Sequence, residues 1–285
     1  MKFNKKIIID SLIGLILGGG IIFIVYSFLD KETLLKFLPT DNLISKMIFF
    51  SSVVIAPFLA IAFHELGHLI SGLIQGFKTE LYVVAFFGIK RIDNKVKVIF
   101  NTNLQYFGGV AATSPKTLLR ENELIKKYKL IFISGPISSF ILGVVSLVIV
   151  LNFDLVFNPF LGLLGIMSLG IFLVTTIPDR TGIFFTDRKR YQRLSDKGET
   201  GKTELAFLQI VNQTLLESNC KNIPLVKINI LKQDNDKLIQ FWGHYFEYQH
   251  YKDNGNKTGV EIIKQTLENY KQLMPKSIWK SLEID

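Results

Sequence analysis

The chain has 285 residues, 48% of them hydrophobic, with 24 Phe and a mean hydropathy of +0.31. That is too apolar for an ordinary soluble domain and points to a membrane protein with several spans. The net charge of +9 does not read as a nucleic-acid footprint, because the basic residues are scattered and follow membrane sidedness.

The first apolar segment covers 8–29 and is free of charge from Ser11 to Leu29. Lys2, Lys5 and Lys6 precede it as they would a signal peptide. The run is longer than a signal core and shows no small-residue cleavage site, so it reads as a span. A second span covers 47–74, where Glu65 is the one formally charged residue between Lys46 and Lys78. The third and fourth cover 130–153 and 155–178, uncharged from Leu130 to Phe153 and from Leu155 to Pro178. Each exceeds the ~20 residues needed to cross the hydrocarbon.

Loop charge sets the expected orientation. Lys78 to Lys129 carries ten basic and four acidic residues, and the tail from Asp179 carries seventeen against fourteen. The loop after the first span is balanced, and only Asp154 links the last two spans. The bias of Lys and Arg toward the inner side predicts a multi-pass protein of the cell membrane with both termini and the middle loop in the cytoplasm.

The tail, 186–285, is charged and shows helical spacing: Leu205, Leu208, Val211 and Leu215, then Leu238, Trp242, Tyr245 and Phe246, then Val260, Ile263, Leu267 and Tyr270. "KDNGNKTG" breaks the last two runs. This predicts a small cytoplasmic helical domain, with helix pairs stacked as in a short solenoid. Binding a regulator is one role for it; plain amphipathic packing is the other. His244 and His250 read as core or surface residues of those helices. Cys220 is the single cysteine, so no internal disulfide forms, in keeping with a reducing compartment.

The chemistry concentrates in "HELGH". His64 and His68 are four apart, which on a helix puts both imidazoles on one face within reach of one metal ion. Glu65 stands at the edge of that face, where it can act as general base toward a water molecule. Ionisable groups are costly at membrane depth, so this cluster reads as a site rather than a solvated surface. Gly67 suits close approach of another helix. A catalytic zinc site takes a third protein ligand. "LVTTIPDRTGIFFTDRKRYQRL", at the end of the fourth span, offers Asp179 and Asp187.

From about Val53 to Arg193 the sequence resembles the site-2 protease family of intramembrane zinc metalloproteases. "HELGH" stands in a span, and a loop follows with strand-like "TELYVVAFFGIK" and "KVKVIF" and with Gly108 and Gly109. "SGPISSF" opens the next span, and a later span ends in Pro178 followed by an aspartate. The departures are Ser139 and Thr175 where the family carries Asn, Ile183 at the usual aspartate position, and Arg188 where Gly is usual.

The resemblance implies an all-α integral membrane protein. Its transmembrane metalloprotease domain, 1–185, would hold four helices and a β-containing cytoplasmic loop, followed by the helical domain 186–285. It implies one zinc ion on His64, His68 and Asp187, with Asp179 the alternative third ligand and Glu65 the general base. Thr175, Ser139, Gly108 and Gly109 are the candidates for oxyanion or substrate positioning. Expected partners are a membrane protein or peptide substrate and the lipid bilayer, not nucleic acid. The departures leave an alternative, a catalytically impaired member acting as a membrane binding, regulatory or immunity-type protein.

Overall fold

The computed structural model describes residues 30–103, 106–181, 184–282 and 284, so the expected span at 8–29 lies outside the described residues. α1 (Lys31–Leu35) is capped by Asp30, whose carboxylate accepts from the Thr33 N–H at 2.7 Å. α2 (Leu43–Ile74) begins at Asn42, whose side chain accepts from the Ile44 N–H at 2.8 Å. α3 (Glu121–Asn152) and α4 (Asn158–Thr176) complete a set of three helices long and apolar enough to cross a membrane.

These three helices pack against one another in every pairing. At 32 residues each, α2 and α3 reach about 48 Å, against ~30 Å of hydrocarbon. The charged start of α3, Glu121 to Lys129, is therefore the part that outruns the apolar layer. Gly67 lets α2 pack tightly on α3, since a Cβ there would lie 2.6 Å from the Ser134 carbonyl oxygen.

Between α2 and α3 the chain forms a four-stranded antiparallel sheet in the order β3-β2-β1-β4. Its strands are β1 (Lys78–Val84), β2 (Phe87–Ile92), β3 (Lys95–Phe100) and β4 (Val110–Ser114). Asp93 and Asn94, at φ +51° and +59°, close the tight β2–β3 hairpin. β1 and β4 lie against α2. The Tyr82 hydroxyl donates to the Ala62 carbonyl at 3.0 Å, which fixes the sheet beside the "HELGH" turns.

The tail is helical throughout: α5 (Asp187–Ser195), α6 (Glu199–Glu217), α7 (Leu225–Lys232), α8 (Lys237–Asp253), α9 (Lys257–Glu268), a 3₁₀ turn at Lys271–Leu273 and α10 (Lys276–Ser281). From α5 to α9 each helix packs on the next in sequence. The three expected periodic runs fall on α6, α8 and α9, the last reaching just past its helix at Tyr270. Ile210, Ile223, Ile228, Leu231 and Phe246 form the core of this stack, with Cys220 among them. Burial pushes the Cys220 thiol above its ordinary range. His250 Nδ1 lies 3.0 Å from the Cys220 carbonyl oxygen, and the His244 ring lies against Tyr270.

A second apolar cluster seats the tail on the spans. Leu194 of α5 and Leu208 of α6 meet Phe77, Leu124, Tyr128, Ile131 and Phe132. The Tyr128 hydroxyl donates to Asn212 Oδ1 on α6 at 2.7 Å. The tail is thus packed against α3, not strung behind α4 on a free linker.

Candidate metal centre

The helical period does the first part of the assembly. His64 and His68 sit one turn apart on α2, both buried, with ring centroids 4.9 Å apart. Each ring is held from behind by α3. His68 Nδ1 donates to the Ile131 carbonyl at 2.6 Å, and His64 Nδ1 pairs with Ser139 Oγ at 2.9 Å. A carbonyl can only accept, so His68 Nδ1 carries a proton and Nε2 is the ring atom that faces Asp187. Gly135 makes room for this ring, since a Cβ there would lie 2.2 Å from His68 Nε2.

The third group arrives through a detour. After α4 the chain turns through a short hairpin, β5 (Arg180–Thr181) paired with β6 (Phe184–Phe185). Thr186 ties the two ends together: its hydroxyl donates to the Ile177 carbonyl at 2.7 Å and its N–H to the Asp179 carbonyl at 3.0 Å. Asp187 follows as the first residue of α5. Its Oδ2 lies 3.1 Å from His64 Nε2 and its Oδ1 3.3 Å from His68 Nε2. The hairpin carries the chain from the end of α4 to Asp187.

Among the described residues, His64, His68 and Asp187 are grouped so that one ligand atom from each lies within 4.8 Å of the others. The donor set fits a zinc ion. Ligand atoms at about 2.0–2.1 Å from a tetrahedral ion stand about 3.3 Å apart, near the two separations seen here. The backing hydrogen bonds at both Nδ1 atoms are those that metal-bound imidazoles make. A neutral Nε2 lone pair facing a carboxylate oxygen is repulsive, and a cation between them relieves it.

Glu65 is next to this group, half-buried, and is approached by the segment leading into β4. Gly109 adopts φ +91°, and a Cβ there would lie 2.9 Å from Glu65 Oε1 and 2.6 Å from Ile61 Cγ2. The Ala111 N–H reaches the Glu65 carboxylate.

The other candidates are placed differently. Gly108 has open space where a side chain would be. Ser139 is fully buried and engaged with His64. The Thr175 hydroxyl donates back into its own helix, to the Ile171 carbonyl at 2.9 Å. Asp179 is exposed, and its carboxylate accepts the Arg180 N–H at 2.7 Å. Gly135, inside "SGPISSF", and Tyr82 also support the site, and neither stands out in the sequence. The signal for Gly135 was its place one turn from Ser139; Tyr82 carried none, because its role depends on how β1 meets α2.

The family model described as peptidase family M50 matches residues 52–282. The chain belongs to this family, the site-2 protease family, as the "HELGH" span and its companion elements led one to expect. With its three long apolar helices, it is a membrane protein of the protease class. Comparison with curated proteins and with solved structures gave no match.

Proposed function

We propose that the chain is an intramembrane zinc metalloprotease that hydrolyses a membrane-embedded or membrane-associated peptide. The observation that carries this reading is the convergence of His64 and His68 with Asp187, 123 positions from His64, beside the carboxylate of Glu65. His64, His68 and Asp187 would hold the ion. When bound, zinc polarises the scissile carbonyl and brings the pKa of water toward ~7.

The chain's own residues do the rest. The Ile131 carbonyl and Ser139 fix the imidazoles, and Asp187 offsets part of the ion's charge in a low-dielectric surround. Glu65 takes the proton from the attacking water and returns it to the leaving amine. Gly109 and the Ala111 N–H orient that carboxylate. A helical substrate has its amides bonded internally and must unwind before attack. The sheet between α2 and α3 is the element that an extended substrate would join as an added strand.

In this reading 8–29 supplies a fourth span and both termini face the cytoplasm. Residues 1–185 form the membrane catalytic domain, and 186–285 form the helical domain seated on it. The test is Glu65→Gln. It should keep its zinc and lose about 10²–10⁴-fold in cleavage of a model transmembrane peptide, the range that a positioned base supplies. Cleavage at the wild-type rate in Glu65→Gln would rule out the mechanism.

A further inference from the structure

Among the buried charges that the catalytic reading leaves unused is Glu204, on α6. Its side chain is 2% exposed, and both carboxylate oxygens are occupied by arginines of α5, the helix that begins with Asp187. Arg190 reaches Oε1 with Nε at 3.0 Å, and Arg193 reaches Oε2 with Nε at 3.1 Å. Arg193 continues to Asp234, between α7 and α8, at 2.8 Å. Arg190 also lies over the Phe132 ring of α3, 4.4 Å from its centroid. On the other side of Asp187, Arg180 of β5 pairs with Asp236, the N-cap of α8.

The short segment that carries Asp187 is therefore tied to the tail before and after that residue. Buried ionic groups are weak evidence for stability, but they discriminate strongly against any arrangement that leaves one unpaired. A slip of one residue turns a helix by about 100°. In α5 such a slip would strand Glu204 and carry the Asp187 carboxylate away from the imidazoles. We propose that Glu204 is a positioning residue for metal binding: through Arg190 and Arg193 it sets the rotation of α5, so that docking of the tail completes the zinc site. The proposal rests on the reading of Asp187 as the third ligand.

The test is zinc affinity of the purified full-length protein, by competition with a chromophoric chelator, in a cycle of Asp187→Ala, Glu204→Gln and the double variant. Alkylation of Cys220, buried in the tail's core, reports whether the tail is folded. Glu204→Gln should weaken zinc by about tenfold or more, as loss of a group supporting a ligand does, with Cys220 still protected. In the Asp187→Ala background it should change affinity less than about twofold, because no ligand remains to be positioned. An unchanged affinity in Glu204→Gln, or an equal loss in both backgrounds, overturns the proposal. If Glu204→Gln exposes Cys220, Arg190→Met takes its place, removing one guanidinium at the 29% exposed end of the network, and the same two outcomes decide. Full zinc affinity in Asp187→Ala would mean that the ligand reading itself has failed, and the positioning role falls with it.

Discussion

The two sources of candidate ligand atoms in this protein are built by different physics. His64 and His68 lie on one helix, and the α-helical period alone puts them side by side. Asp187 lies at the start of a nine-residue helix reached through a hairpin, and it is held by contacts to α3, α6 and the α7–α8 connection. The spacing of a local pair is set by its own helix, though its rings still lean on α3; a group held from a distance depends for its very presence on everything that holds it. The centre should accordingly be easiest to damage where α3 and the tail support it.

Gly135→Ala should break the local half hardest. The added methyl would lie 2.2 Å from His68 Nε2, so the ring must leave its place or α3 must move off α2. Zinc affinity, measured by chelator competition, should fall by about 10–100-fold, as it does when the support of a ligand is lost. Wild-type affinity in this variant would mean that α3 does not hold the ring as described.

Gly109→Ala separates binding from turnover. The substitution meets a left-handed backbone and crowds Glu65, yet it touches neither imidazole. Cleavage should fall by about tenfold, a part of the ~10²–10⁴ that a positioned base supplies, while zinc stays bound. Zinc loss matching the loss of activity would assign Gly109 to the fold instead.

The part of this comparison that the sequence disclosed follows the same division. "HELGH" is read from period and residue type, and the spans from length and absence of charge; neither needs tertiary information. The strands of "TELYVVAFFGIK" and "KVKVIF" also announced themselves, whereas "VAATS" forms β4 only because β1 and α2 are there to receive it. The hairpin between Pro178 and Asp187 was invisible for the same reason. Its geometry comes from Thr186 bonding back to Ile177 and Asp179, a pattern no local propensity encodes. Glu204 had a faint signal, an acid one turn before Leu208 on the apolar face of α6, but its partners on α5 and beyond α7 could not be named without the fold.

The smallest expected effect is at Cys220. Buried in the tail's core with its thiol pushed up by burial, it should alkylate far more slowly than a free thiol at neutral pH, and a fast reaction would show the tail to be open.

The zinc content of purified Asp187→Ala, set beside wild type and Asp179→Ala, tests the centre most directly. Wild type and Asp179→Ala should each carry about one zinc per chain, because Asp179 stands exposed and apart from the imidazoles. Asp187→Ala should carry well under one, with membrane insertion unchanged. Zinc retained in Asp187→Ala but stripped from Asp179→Ala would contradict the account.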